Sequence, residues 1–427
     1  MNLINGQIVG EEYARHFLSD IETVVDQTLQ NKALDIETVI GASDRLSKML
    51  SAKDASALLD AMPIRPADAS ALMEQARYLL SRDYLEKKLD LELGRDPFAF
   101  HDIGGGKRVA MRPLGVLTHI AAGNAAGLPA ISVLEGLMTG NINILKLPGF
   151  DDGLSTLLLK MLIDVEPLLS PYIYVFDLPS TDIDAIRKML SVSDAAAVWG
   201  SDFAISGIRA VAPPGLRLIE WGHKLSFACV TRQGESKEAL AGIAKDICQS
   251  EQLLCSSPQC VYFEAQSFEE LVSFGERFAD QMEAQCQLYP PFVLDQAVQA
   301  EITMQLSLTR CEELIDKVRL IQGSGFAVII DDNPVLCAAP KFRTVYVKPM
   351  RGAAFFNMLR QQKGYLQTVG LACASGEYDE MSETLYRSGV CRVLPCGSML
   401  SVGAGEPHDG LSALRQYVKA VVASPGD

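Results

Sequence analysis

The chain has 427 residues, 48% of them hydrophobic, and 53 acidic against 38 basic side chains give it a formal charge of -15. That is enough apolar material for two domains, and the acidic surplus excludes bulk nucleic-acid binding, which needs clustered Lys and Arg. No apolar run reaches about 18 residues and the polar start from Met1 to Asp20 holds no signal segment, so neither a membrane span nor export is expected and the location reads as cytoplasmic. The ten cysteines follow no framework, and neither Cys255/Cys260 nor Cys391/Cys396 has C-x-x-C spacing, so they read as free thiols without a structural metal.

From the start to about residue 93 the pattern predicts helices. Glu11 to Leu29, Asp35 to Ala52 and Pro66 to Leu91 carry apolar residues at three- and four-residue spacing, with charges such as Asp44, Lys53 and Arg77 left for solvent. His16 falls in the first of these and reads as a surface residue. Between 97 and 112 the period changes, and Phe98 to Ile103 and Lys107 to Arg112 predict two strands joined by Gly104-Gly105-Gly106. This Gly-Gly-Gly-Lys is no phosphate loop: the G-x-x-x-x-G-K-[ST] spacing is absent and Arg108 stands where a Mg-binding hydroxyl belongs.

Leu114 to Ile120 predicts a buried strand, Ala121 to Pro129 a small-residue loop around Asn124, and Ala130 to Met138 a helix. A second strand, Ile142 to Leu147, includes Lys146 and breaks at Pro148-Gly149. Strand, loop, helix, strand is a parallel unit of a doubly wound sheet, whose ligands sit beyond the carboxyl ends of the strands. Asn124 and Lys146 fall at such ends. The Asn124 amide can donate to an oxyanion or satisfy its own turn; Lys146 can meet a phosphate or snorkel. The pattern repeats through Tyr172 to Phe176, Thr181 to Leu190 and Ala195 to Trp199, where Gly200-Ser201 opens a helix at Asp202 that suits an anion or takes a plain cap. Two further strands flank Glu220, a candidate general base or a partner of Lys224.

Ala239, Ile243, Ile247 and Leu254 then mark one side of a helix that stops against Ser256-Ser257-Pro258, ahead of the strand Cys260 to Phe263. Cys255 sits at that break, where a thiol can reach a cleft; the alternative is a small buried apolar residue. A second α/β unit follows, with helices at Phe268 to Gln285 and Asp295 to Leu308 and strands at Phe326 to Ile330 and Thr344 to Val347. Gln367 starts another strand. Finally, His408-Asp409-Gly410 opens a predicted last helix, Leu411 to Val422, with Asp409 as its cap.

In order and approximate spacing, Gly115-Val116, Asn124, Lys146, Trp199-Gly200-Ser201, Glu220-x-Gly-x-Lys224 and Cys255 resemble the aldehyde dehydrogenase superfamily. Within it, His119-Ile120-Ala121-Ala122-Gly123-Asn124, Cys255-Ser256-Ser257-Pro258-Gln259, Leu366-Gln367-Thr368-Val369-Gly370, Gly389-Val390-Cys391-Arg392-Val393 and His408-Asp409-Gly410 resemble the LuxC family of acyl-CoA reductases. The likeness runs from about residue 95 to 420.

The resemblance implies an α/β fold of aldehyde-dehydrogenase type: two doubly wound domains, a helical N-terminal region and a hairpin arm. A cofactor domain would span 1–225, completed by 398–427, and a catalytic domain 226–397. It implies reduction of an acyl thioester, from acyl-CoA or an acyl-protein, to the aldehyde through a covalent Cys255 thioester. Asn124 and the Cys255 backbone N–H would form the oxyanion hole, and Lys146, Trp199, Gly200 and Ser201 would hold the cofactor. Gly149 stands where NAD-using relatives often carry a carboxylate, which favours NADPH, with NADH as the alternative. Arg343, Gln259 and His408 are candidate contacts to substrate or phosphate; Arg343 reads either so or as a surface charge. The alternatives are an aldehyde oxidiser with Glu220 activating water, and a non-catalytic acyl carrier. An acyl-protein synthetase partner and a homo-oligomer joined through the hairpin also follow from the likeness.

Overall fold

The computed structural model describes residues 1–31, 33–50, 66–121, 127–149, 153–292, 294, 296–315 and 317–424; Asn124 lies outside them. The chain divides into two compact units, Met1–Gly222 with Gly403–Asp427, and His223–Val402.

In the first unit, strands β1 (Asn2–Ile4), β2 (Gln7–Val9), β5 (Val116–Ile120), β6 (Ile142–Lys146), β7 (Ile173–Phe176), β8 (Ala195–Trp199) and β9 (Arg217–Trp221) form one sheet. Their order is β2-β1-β7-β6-β5-β8-β9. β5 to β9 pair in parallel, as apolar runs separated by helices demand. The turn into β5 needs glycine: Gly115 has φ +138°, and a Cβ there would lie 2.2 Å from Asp194 Oδ2, the atom that accepts a hydrogen bond from Val116 N. Helices Glu11–Gln30, Ile36–Leu50, Pro66–Leu80 and Arg82–Leu93 cover this sheet's flank.

The structure corrects the helical reading of the first 93 residues in two places. Residues 2–9 are an antiparallel hairpin whose β1 pairs with β7 at the sheet edge; three-residue strands are too short to show a period. The third helix is split at Ser81, whose hydroxyl accepts from Tyr84 N and caps a new helix.

The arm is a separate antiparallel sheet of β3 (His101–Gly104), β4 (Lys107–Pro113) and β17 (Val418–Ala423), in the order β17-β4-β3. This overturns the expected last helix. Only Ala413–Gln416 is helical, and Val418 to Ala423 pair with Pro113 to Arg108. The short helix has Ser412, not Asp409, at its N-cap, and Asp409 (φ +52°) and Gly410 (φ +78°) are the two left-handed residues of a tight turn closed by His408 and Leu411. Asp-Gly with both residues at positive φ is a hairpin-type turn, and Val-Lys-Ala-Val-Val continues as strand.

The second unit is built on β10 (Leu225–Val230), β11 (Pro258–Phe263), β12 (Val318–Gly323), β13 (Phe326–Asp331), β14 (Thr344–Pro349), β15 (Leu366–Ala372) and β16 (Arg392–Pro395). They lie in the order β12-β13-β14-β11-β10-β15-β16, parallel except for β12. Alternation sorts the core. Ala228, Val230, Val261 and Phe263 pack against helices Lys237–Ser250 and Phe268–Leu288, while Phe227, Cys229, Cys260 and Tyr262 pack against Gly352–Gln361 and Tyr378–Ser388. No described helix is long and apolar enough to cross a membrane.

Candidate functional site

Cys255 belongs to the turn between helix Lys237–Ser250 and β11. The helix is capped at its start by Ser236, and ends where Glu251 (φ +50°) and Gln252 (φ +57°) both turn left-handed. For residues with a side chain each such conformation costs roughly 1 kcal/mol or more, so the surroundings must enforce it. Several bonds do. Ser257 Oγ donates to Ser250 Oγ at 2.7 Å, Gln252 Nε2 to the Pro258 carbonyl at 2.9 Å, and Ser257 N to the Leu254 carbonyl at 3.0 Å. Cys255 is half-buried at the crest of this closed turn and forms no disulfide.

Two strands hold the crest. Ser226 Oγ, on β10, donates to the Cys255 carbonyl at 2.6 Å and accepts from Thr368 N on β15. Beside Thr368, the buried Gln367 donates from Nε2 to Cys255 Sγ at 3.3 Å. Sequence reasoning missed Gln367. The available signal was an amide at the head of an otherwise apolar central strand, since a buried amide must find partners.

Two expected ligand contacts in this unit are structural instead. Arg343 is neither on the surface nor open to a phosphate: it is 1% exposed, and its Nη2 donates to Glu251 Oε1 at 2.6 Å and to the Cys248 carbonyl at 3.1 Å. It belongs to a second left-handed stretch, Lys341 (φ +68°), Phe342 (φ +47°) and Arg343 (φ +63°), and Phe342 N donates to the Glu251 carbonyl. The two unusual backbone segments thus fasten each other. Gln259 is also buried, accepting from Ala339 N and donating to the Gln252 and Ser257 carbonyls.

In the first unit the expected cofactor residues lie at the carboxyl ends of the strands. Trp199 and Trp221 are register partners of β8 and β9, and their rings stack at 5.3 Å and 26°. His408, presented by the Asp409-Gly410 turn, lies 5.3 and 5.2 Å from the two rings. Ser201 caps helix Asp202–Val211 by accepting from Ala204 N; the remaining first-turn N–H groups face outward along the helix axis. Lys146 is buried at the end of β6, where loss of solvent lowers its pKa, and Nζ donates to Ser180 Oγ at 2.6 Å. Gly149 is exposed, and among the described residues nothing lies within 4 Å of a Cβ built there.

Glu220 has another partner than the one expected for it. Its carboxylate does not pair with Lys224, which donates to the Gly364 carbonyl. It takes both prongs of Arg209, Nε and Nη2 each at 2.5 Å. The pleat explains this: Ile219 and Trp221 pack on one face with Leu117 and Tyr417, so Glu220 shares with Leu218 the opposite face, beneath the helix that carries Arg209.

His119, in the same motif as Asn124, is a core residue. It is fully buried, and loss of solvent pushes its pKa down to about 4. Asn143 Nδ2 donates to the Asn141 and Tyr172 carbonyls, which fixes Oδ1 as the acceptor for His119 Nε2; His119 Nδ1 then accepts from Ser132.

Set beside known proteins, residues 31–420 match the family described as acyl-CoA reductase (LuxC). A long-chain acyl-protein thioester reductase of Vibrio harveyi is 27% identical over 356 residues, covering 81% of this chain and 72% of that protein. The Aliivibrio fischeri reductase of the same name is 26% identical over 324 residues, 73% and 64% of the two chains. Long-chain acyl-protein thioester reductase 2 of Photobacterium leiognathi is 24% identical over 320 residues, 72% and 64%. The chain therefore spans about two thirds of the length of these relatives. Among solved structures, indole-3-acetaldehyde dehydrogenase complexed with NAD+ superposes with a TM-score of 0.76 at 13% identity, over 99% of this chain and 95% of that one. The aldehyde dehydrogenase KauB from Pseudomonas aeruginosa gives 0.76 at 14%, over 99% and 96%. Identity this low speaks to fold alone, and the fold is the aldehyde dehydrogenase one.

Proposed function

The chain belongs to the LuxC family of acyl-CoA reductases, and from that premise we propose that it reduces an acyl thioester to the aldehyde through a covalent thioester on Cys255. The observation that carries the reading is the Cys255 turn: a half-buried thiol at the crest of a rigid loop, with an amide donor on its sulfur. The relatives, long-chain acyl-protein thioester reductases by name, support the same substrate class.

In this mechanism the Cys255 thiolate attacks the thioester carbonyl and the donor's thiolate leaves, so acyl transfer between sulfurs is nearly isoenergetic and serves acyl-CoA and acyl-protein alike. Asn124 and the Cys255 N–H are the proposed donors to the oxyanion, each worth roughly 2.7–4 kcal/mol by analogy with other oxyanion holes. NADPH supplies the hydride when bound. Lys146, the helix start at Ser201 and the Trp199 face would hold it, and a glycine at 149, where a carboxylate would repel a 2'-phosphate, supports NADPH. Collapse of the tetrahedral adduct on Cys255 releases the aldehyde and restores the thiolate.

The Arg209 clamp on Glu220 weighs against the oxidative reading, in which that carboxylate activates water. Incubation with acyl-CoA and NADPH is expected to consume NADPH and release free thiol, and a Cys255→Ala protein that still does so excludes the mechanism. Glu220→Gln is expected to leave reduction largely intact. Stable acylation without cofactor binding, read by NADPH fluorescence titration, would make the protein an acyl carrier instead.

A further inference from the structure

Resting on Cys255 as the nucleophile, we propose that Gln367 is the positioning residue that holds the Cys255 sulfur as thiolate and aims it. Cys255 follows the C-terminal end of helix Lys237–Ser250, whose dipole presents partial negative charge and does nothing to favour a thiolate. Activation therefore has to come from a donor. Gln367 Nε2 stands 3.3 Å from Sγ, within reach for a hydrogen bond to sulfur. The amide's orientation has its own support, since Gln367 Oε1 faces the Thr368 hydroxyl. Were it reversed, a carbonyl oxygen would face the sulfur and favour the protonated thiol.

The amide is also fixed in place. Gln367 is 5% exposed on β15, its carbonyl accepts from Cys391 N at 3.0 Å, and its neighbour Thr368 donates through Ser226 to the Cys255 carbonyl. Backbone and sulfur of the nucleophile are thus tied to the same two residues of one strand. A hydrogen bond to the charged form of a thiol lowers its pKa, and holding the sulfur in one rotamer shortens the search for attack geometry.

The test reads the sulfur without substrate or cofactor. Iodoacetamide alkylation, in which the thiolate displaces iodide, is followed against pH in the full chain, with Cys255 quantified by peptide mass spectrometry because Cys311 and Cys391 are also exposed. Gln367→Leu is expected to move the Cys255 profile to higher pH and slow alkylation at pH 7 by about tenfold, as loss of a hydrogen bond to a charged group implies. Gln367→Glu, near-isosteric and chosen in case the Leu protein folds poorly, puts an acceptor against the sulfur and is expected to slow it further. An unmoved or lowered profile in both Gln367 variants overturns the assignment. A wild-type Cys255 that resists alkylation throughout overturns the nucleophile reading itself.

Discussion

Each unit carries an arginine–carboxylate pair beside its candidate residues, and the two are built in opposite ways. In His223–Val402, Arg343 and Glu251 are 1% and 2% exposed and lock left-handed segments under the Cys255 turn. In the first unit, Arg209 grips Glu220 through two prongs but is itself 61% exposed. The surface pair has the better fork geometry, yet the buried one carries the structure, because removing one partner from a buried pair strands a charge that water cannot reach. The unit that carries Cys255 is held there by a buried polar network around left-handed segments; the other is a mostly parallel sheet with caps and an aromatic stack at its strand ends.

Breaking the buried pair gives the largest expected effect. Arg343→Leu should lose about 3–5 kcal/mol, since Glu251 is left uncompensated. Arg343→Leu with Glu251→Leu should regain much of this in urea melts, although the left-handed turn then lacks its fastening and Cys255 should become less uniformly reactive. A single variant as stable as the wild type would mean the pair is incidental to the turn.

Acid separates the halves next. Burial depresses His119 from 6.5 to about 4, so the unfolded chain takes a proton that the native state refuses. Its stabilising contribution is full above pH 6.5 and is lost as pH falls toward 4, by about 3 kcal/mol over that window. Asp246, buried among the Gly397 and Met399 amides in the other unit, is raised from 3.8 to about 6 by loss of solvent, against those two hydrogen bonds. Its contribution is full below pH 3.8 and is lost as pH rises through 6, again by about 3 kcal/mol. Between pH 5 and 7, wild type measured against His119→Gln should gain stability with pH, and against Asp246→Asn should lose it. Parallel slopes would erase the contrast.

The contrast also explains what could be read in advance. The strands of both sheets and the break at Cys255 announce themselves by local period and punctuation. Gln367 and Cys255 are 112 residues apart, and Arg343 and Glu251 are 92 apart; pairings of that range leave no local trace, so a buried arginine looked like a phosphate contact. The partner of Glu220 is hidden for a subtler reason. Strand parity alone puts it opposite Trp221, but which face holds a helix with an arginine is a tertiary fact. The Asp409-Gly410 turn, by contrast, is legible in the dipeptide itself, but the residues after it tolerate a helix and mask the strand.

A change in the cofactor half should alter selectivity rather than stability. Gly149→Glu meets no described residue within 4 Å of its Cβ and places a carboxylate three residues after Lys146, so melting should barely move. Repulsion against a 2'-phosphate should lower kcat/KM for NADPH by about tenfold while sparing NADH, a difference near 1.4 kcal/mol. Equal losses with both cofactors would point to blocked space instead of charge.

The smallest expected effect is the most telling for Glu220. An exposed pair contributes under about 1 kcal/mol even with two hydrogen bonds, so Arg209→Ala should shift the melting midpoint only slightly. It also unclamps the carboxylate. If Glu220 is kept from water chemistry only by Arg209, the variant should gain hydrolysis of the Cys255 thioester, seen as fatty acid released from acyl-CoA in the absence of NADPH. The pleat argues for the other outcome: Glu220 projects from the face of β9 opposite Trp221, and a freed side chain on that face stays there. No gain of acid is therefore expected, and its appearance would show that the clamp, and not the strand's parity, sets the reaction's direction.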